Sequence, residues 1–323
     1  MNALISFPRI GVDGKTYTQK DIEDAFVGKK LVKDIKCALD NISTQNELEQ
    51  RIVGILKRQV SYLLTAKPVS LERIKNSTDR LNFASCAKHE KRIKVFKREI
   101  QKAFNYDKHR KDHLVEHAVR LNVKTCCYCN MNYTLLIEEN QARSIKKKAL
   151  LQFDHFYDKN KYPHLSMSMY NLIPSCATCN QGKPRTCNLS LLFNPFYSNI
   201  FELYKFRVKK PLPLFMGITH PEKIEVECKP LTTKKDVLKY VKWFHISSKY
   251  GVHKDIVQEV FDKAQQYPYY AHFMNFAYLN EESYPLRLLL GVYPDINDFA
   301  KRPMSKFVMD IWEQACIHLG KKK

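Results

Sequence analysis

Two Cys-x-x-Cys units, Cys126-Cys127-Tyr128-Cys129 and Cys176-Ala177-Thr178-Cys179, carry the plainest chemistry in this chain. Two such knuckles supply four thiolates, the set that a closed tetrahedral zinc site takes. One knuckle would say little; the pair predicts structural Zn2+ on Cys126, Cys129, Cys176 and Cys179. Forty-six residues separate Cys129 from Cys176, against roughly 15–20 in a simple zinc ribbon. Something is inserted between the two halves of the site.

The insert holds a second chemistry. Asp154-His155 follows the apolar stretch Leu150-Leu151-Gln152-Phe153, and Asn171-Leu172-Ile173-Pro174 reads as a second short strand leading into Cys176. A carboxylate beside an imidazole at a strand end divides two tasks. Asp154 can hold a hard divalent cation while His155 takes a proton from water. Asn180, just past the second knuckle, offers an amide oxygen as a further metal ligand, and Lys183 offers a charge for a neighbouring phosphate or an ordinary solvated ammonium. So few protein ligands suit Mg2+ or Mn2+, which keeps its waters and bridges to phosphates. A lone Asp-His pair is an ordinary surface dipeptide; its place between two knuckles is what gives it weight.

The strings Cys-x-Tyr-Cys-Asn, Asp-His-Phe-Tyr-x-Lys-x-x-Tyr-Pro and Asn-Leu-Ile-Pro-Ser-Cys-x-x-Cys-Asn-x-x-Lys together resemble the zinc-containing HNH endonucleases, over residues 104–196. The resemblance implies a ββα-metal core with His155 as general base and Asp154 and Asn180 as ligands of a catalytic Mg2+ or Mn2+. It implies Asn171 as the residue steadying the loop between them. Asn180 stands where many members carry a second histidine, which is the HNN variant. Asp158 stands where the family's motif often has proline, and whether it adds charge near the metal is open. Outside the core, Lys301-Arg302-Pro303-Met304-Ser305-Lys306-Phe307 and the wording of the core resemble HNH proteins paired with an ATPase in bacterial phage-defence operons of the Septu type.

These resemblances imply a metal-dependent endonuclease that hydrolyses phosphodiester bonds of nucleic acid, with DNA the expected substrate, acting as the effector of a defence system beside an ATPase partner. The alternative is a catalytically silent, zinc-stabilised nucleic-acid-binding or ATPase-partner protein. The intact Asp154, His155 and Asn180 speak against it, because a pure binding module has no need of a carboxylate facing phosphates.

The elements that position these residues are mostly helices. Thr44-x-x-Glu47 reads as a capping box for a helix with Leu48, Ile52, Ile55, Leu56, Val60, Leu63 and Leu64 on one face, stopped at Lys67-Pro68. Ile93, Phe96, Ile100 and Phe104 repeat likewise within the basic run from Lys88 to Lys102, which could track a phosphate backbone or simply be solvated. Ile256, Val257, Val260, Phe261 and Ala264 predict another helix, and Phe307, Val308, Ile311, Trp312 and Ala315 a last one, from Pro303 to Gly320. Tyr133–Ile137 and Leu150–Phe153 read as short strands separated by the polar stretch 138–148. The expected class is α+β: a mainly helical chain around a small central ββα-metal core stapled by the four cysteines. The expected divisions are a helical region 1–105, a nuclease core 106–200 and a helical region 201–323.

Two other patterns favour packing over chemistry. His109, His113 and His117 share one helical face, better read as polar or half-buried than as a metal stripe. The aromatics Tyr267, Tyr269, Tyr270, Phe273, Phe276 and Tyr278 read as core or interface before they read as base-stacking platforms.

Composition limits the classes that remain. The 323 residues carry 54 Lys plus Arg against 33 Asp plus Glu, a net charge of +21, so the surface attracts polyanions. Hydrophobic residues make up 44%, enough for a core. Glycine numbers only 9, with no G-x-G pattern and no P-loop, so any ATP-driven step belongs to a partner. No apolar window is long enough to span a bilayer, and the first residues do not read as a signal peptide. Ten cysteines in such a chain are expected as thiols and metal ligands, with a cytoplasmic location.

Overall fold

The structure, a computed structural model, describes residues 3–80, 90–141, 144–184, 188–217, 220–232, 235–276 and 283–320. The chain is mainly helical, with four two-stranded antiparallel sheets among the described residues. It divides into two compact units. One comprises Met1–Val123, Thr134–Ser175 and Arg185–Ser198; the other comprises Lys124–Tyr133, Cys176–Pro184 and Asn199–Lys323. Residues 106–200 are thus shared: both knuckles fall in the second unit, and Asp154, His155 and Asn171 fall in the first.

The first unit begins with β1 (Arg9–Ile10) and β2 (Thr16–Tyr17), followed by α1 (Gln19–Val27), α2 (Lys29–Asp40), α3 (Glu47–Thr65), α4 (Pro68–Arg80), α5 (Glu90–Phe104), α6 (Tyr106–His109) and α7 (His113–Leu121). The helix over 47–65 forms as its periodicity predicts, but its cap is Asn46 and not Thr44. The Asn46 side chain accepts from Glu49 N at 2.9 Å, and the Glu49 carboxylate accepts from Gln45 N at 2.8 Å. The cap is shifted by two residues, and the Glu49 carboxylate closes on the N–H of the residue before Asn46. Glu49 also meets Arg92 of α5 in a two-pronged pair at 2.9 and 2.6 Å, which draws its carboxyl below the usual range. Leu56, Val60, Leu63 and Leu64 are buried on α3, whereas Leu48 and Ile55 are exposed at the edge of the stripe. On α5, Phe96, Ile100 and Phe104 are buried as expected.

Two hairpins complete this unit. The polar stretch between the predicted strands is itself a hairpin of β3 (Leu136–Gln141) and β4 (Ser144–Ala149), with Glu138 opposite Lys147 and Glu139 opposite Lys146. Lys148 pairs with Glu139 across the ladder at 3.5 Å, and a charged sequence of this kind gives no hydropathy sign of strands. Next, β5 (Gln152–His155) pairs antiparallel with β6 (Leu172–Ser175), placing Asp154 opposite Ile173 and His155 opposite Leu172.

The second unit holds α8 (Ala177–Gly182), β7 (Tyr204–Val208), α9 (Leu212–Phe215), β8 (Val226–Pro230), α10 (Lys235–Trp243), α11 (Ile246–Tyr250), α12 (Lys254–Phe276), α13 (Ser283–Leu290) and α14 (Ser305–His318). The β7–β8 hairpin packs on α14 and α11, with the Phe206 ring 5.2 Å from Phe307 and 4.4 Å from Tyr250. The last helix starts at Ser305 and not at Pro303, because Met304 takes a left-handed conformation (φ 65°) and Asn130 accepts from Lys306 N at 3.0 Å. On α14, Lys306 and Asp310 form a buried ion pair at 2.8 Å, and Asp310 also accepts from Phe206 N.

Candidate functional site

The knuckle at Cys126 is a tight turn. Asn130 N donates to Cys126 O at 2.9 Å with Asn130 left-handed (φ 52°), and Cys126 N donates to Asn132 O at 2.9 Å. The second knuckle is the first turn of α8, where Asn180 N donates to Cys176 O at 3.0 Å. The four Sγ atoms lie within 4.8 Å of one another, all buried, with Cys129 and Cys176 4.0 Å apart. Sulfurs at the corners of a Zn–S tetrahedron of about 2.3 Å bonds stand about 3.8 Å apart. The cluster therefore fits Zn2+ in ligand number, ligand type and spacing, and it is the one group of three or more ligand-type residues among the described residues.

Four thiolates leave a zinc site with a net charge of −2, and the surroundings answer that charge. Asn132 Nδ2 donates to Cys176 Sγ at 3.3 Å, and Lys249 Nζ donates to Cys179 Sγ at 3.5 Å. Burial works against the Lys249 ammonium, but the cysteines outweigh it and raise its pKa. Hydrogen bonds from Cys126, Cys129 and Cys179 pull the Cys176 thiol far down, while burial pushes Cys126 up. A bound Zn2+ would hold all four as thiolates. Tyr240 and Tyr250 donate to the carbonyls of Tyr128 and Cys129, and Asn130 Nδ2 donates to Phe299 O at 2.6 Å, so the turn is tied to the rest of its unit.

In the first unit, the β5–β6 hairpin presents Asp154 and His155. Successive residues of a strand face opposite ways, so the carboxylate and the imidazole leave β5 on different sides. Asp154 is 3% exposed and His155 half-buried. His155 Nε2 lies 2.9 Å from Ser166 O. A carbonyl can only accept, so Nε2 carries a proton, and in the neutral ring Nδ1 is the nitrogen that takes one. The ring packs edge-on against Tyr106 at 4.6 Å, whose hydroxyl donates to Phe153 O at 3.2 Å. Burial, with the Asp154 charge adding to it, pushes Tyr106 up to about 12, so it stays a neutral donor.

Asn171 organises the loop between β5 and β6. Its Oδ1 accepts from Tyr157 N at 2.7 Å, and its Nδ2 donates to Tyr157 O at 3.2 Å and to Leu165 O at 2.9 Å. Its own carbonyl accepts from Phe156 N at 2.8 Å. The next residue after Leu165 is Ser166, whose carbonyl meets His155, and Ser168 Oγ donates to Leu63 O of α3 at 2.5 Å. Asp158 is occupied with its own turn: its carboxylate accepts from Asn160 N at 2.7 Å and its carbonyl from Tyr162 N at 2.8 Å.

Of the residues singled out in the sequence, the four cysteines come together in the second unit, where Asn180 and Lys183 sit on α8 and its C-cap. Asp154, His155 and Asn171 belong to one hairpin and its loop. Asp154 offers a single buried carboxylate, which suits a cation that keeps most of its waters.

The histidine face is interrupted at Arg110–Asp112, between α6 and α7, and turns inward. His113 and His117 pack against Phe26 at 4.9 and 4.8 Å, and the Nε2 atoms of both have no hydrogen-bond partner among the described residues. Neither belongs to a cluster of metal-ligand residues among the described ones. In the aromatic run, Tyr267 packs on Trp312 at 5.2 Å. The side chains of Tyr269, Tyr270, Phe273 and Phe276, and all of Tyr278, lie outside the described residues, as does Lys88 of the basic run. Sequence reasoning did not find Asn132, Lys249 or Ser166. Asn130 stands beside Cys129 in the motif, but nothing about an asparagine there announces a helix cap for α14.

No protein-family model, no curated protein and no solved structure matches the chain.

Proposed function

We propose that the chain is a zinc-stapled, metal-dependent endonuclease of the HNH type that hydrolyses phosphodiester bonds, DNA first among them. The observation that carries the reading is the His155 ring, held by the Ser166 carbonyl with Nδ1 as its basic nitrogen, one residue from the buried carboxylate of Asp154. That is the state a general base needs before it meets a proton. In this reading His155 Nδ1 removes a proton from the water that attacks phosphorus, and Asn171 keeps the loop bearing Ser166 in place. Asp154 would hold Mg2+ or Mn2+, and Asn180 is carried as a ligand by the motif alone. The cation, when bound, supplies charge stabilisation to the phosphate oxygens. Lys183 contacts a neighbouring phosphate. Cys126, Cys129, Cys176 and Cys179 hold Zn2+, whose part is folding and not chemistry.

An effector role beside an ATPase in phage defence rests on the resemblance over Lys301–Phe307 and on a chain without a nucleotide-binding loop. No helix among the described residues is long and apolar enough to cross a membrane. The decisive assay incubates plasmid, single-stranded DNA and RNA with the chain, with and without Mg2+ or Mn2+, beside His155→Ala. Loss of a general base costs about 10²–10⁴-fold, so the variant should be nearly silent while keeping the parent's circular dichroism. Cleavage by His155→Ala at the parent rate would refute the assignment.

A further inference from the structure

The basic helix α5 turns two of its cations toward the candidate hairpin. Arg98 and Lys102, from its C-terminal half, line a polar hollow of about 320 Å3 together with Tyr106, Asp107 and Lys159. Asp107 is the one carboxylate of that lining and stands 3.8 Å from Lys159. The ion pairs of α5 are made by Arg92, with Glu49 and Glu99, and by Lys94, with Glu90. Arg98 and Lys102 make none among the described residues. The hollow thus carries three cations against one anion, and two of its cations have no protein anion to answer them.

Its position ties it to His155. The Lys159 ammonium lies 4.8 Å from the centre of the Tyr106 ring, and the same ring meets His155 at 4.6 Å. These contacts hold Lys159 within about 10 Å of the imidazole, a span of a few nucleotides at roughly 3.4 Å of rise per strand. A helix C-terminus favours nearby cations on its own account. That accounts for Lys102 in the last turn but not for Lys159, which comes from the loop after β5. We propose that this hollow is an anion subsite for the polynucleotide backbone flanking the phosphodiester presented to His155, with Arg98, Lys102 and Lys159 as its phosphate contacts. It rests on the nuclease reading for its place in the reaction, but not for its affinity.

The test measures binding and not cleavage. The full chain binds a fluorescein-labelled DNA duplex of about 20 base pairs without divalent cations, across a series of salt concentrations, and the slope of log affinity against log salt falls by about 0.9 per lost phosphate contact. Arg98→Gln/Lys102→Gln should make the slope shallower by about 2 units, and adding Lys159→Gln by nearly one more. Lys29→Gln/Lys33→Gln, equally conservative changes on α2, should leave it unchanged. A parent slope retained by Arg98→Gln/Lys102→Gln would overturn the proposal, as would an equal loss from the α2 pair, or a parent chain that does not bind the duplex. In the cleavage assay Arg98→Gln/Lys102→Gln should raise KM and spare kcat. Full activity of His155→Ala would remove the nuclease reading and leave the salt slopes standing.

Discussion

Lowering the pH from 8 to 5 should strip much of the stability from the first unit, because that unit buries His117 and half-buries His113 and His164. Burial pushes His117 down to about 3, and His113 and His164 to about 4, against about 6.5 in an unfolded chain. His117 is the most enclosed, 2% exposed beside Phe26 and Phe153. Depressed pKa values mean that below pH 6.5 the unfolded chain binds protons that the folded chain refuses. Stability is therefore complete above pH 6.5 and lost progressively as the pH falls toward 4 and then 3. At pH 5, which is 1.5 units below the unfolded value, the buried His117 costs on the order of 2 kcal/mol at about 1.4 kcal/mol per unit. With the two half-buried rings discounted for solvent screening, the three together cost on the order of 4 kcal/mol, a large share of the stability of many domains. Urea unfolding followed by circular dichroism at pH 8, 7, 6 and 5 reads the loss. His117→Leu, close in volume and unable to titrate, should recover about half of it. Zinc release, followed with a chromophoric indicator, separates any contribution from protonated cysteines. A urea midpoint that stays flat from pH 7 to 5, or a His117→Leu variant that keeps the parent's full pH dependence, would refute the reasoning.

Asn171→Asp should cost on the order of 2–4 kcal/mol at pH 8, since a carboxylate there faces the carbonyls of Tyr157 and Leu165 and donates to neither. Its folded-state pKa is raised, so the deficit against the parent narrows as the pH falls; equal deficits at pH 8 and 5.5 in urea titrations would contradict this. The purified chain should carry one zinc by elemental analysis and show thiolate-to-metal charge-transfer bands on cobalt substitution. A strong chelator should unfold the second unit, because a site of this kind supplies on the order of 10 kcal/mol of folding energy. Cys179→Ser should lower the zinc content; a stable, zinc-free parent chain would exclude the site.

What was legible in the sequence was what lies close together in it. The two-residue spacing of each knuckle and the step from Phe153 to His155 are local patterns, and local geometry delivers them to a turn, a helix start and a strand. The tetrad itself was legible because paired knuckles have few other uses, although Cys129 and Cys176 lie far apart. Contacts made by backbone atoms were not. Ser166 reaches His155 through its carbonyl, which every residue has, so no residue type marks the position. Lys249 meets Cys179 across 70 residues, and one lysine among so many carries no signal. The β3–β4 hairpin was missed for a different reason: with charge on both faces it has no hydrophobic alternation to betray a period of two.

The residues that orient, and not those that react, decide whether the proposed chemistry is available. A histidine in a strand exchanges tautomers in water, and only a fixed acceptor at one nitrogen commits the other to taking a proton. Here that acceptor caps a single 3-10 turn, Pro163–Leu165, and two interactions keep it in place: Asn171 to Tyr157 and Leu165, and Ser168 to α3. Each can be loosened without touching His155 or Asp154. If the ring is the base, loosening the loop lowers the fraction of molecules with Nδ1 ready, and kcat falls while duplex affinity stays where Arg98, Lys102 and Lys159 set it. If His155 is only a packed side chain, the same changes alter stability alone. That separation, rate against affinity against stability, is what makes the nuclease reading testable from residues that never meet the substrate.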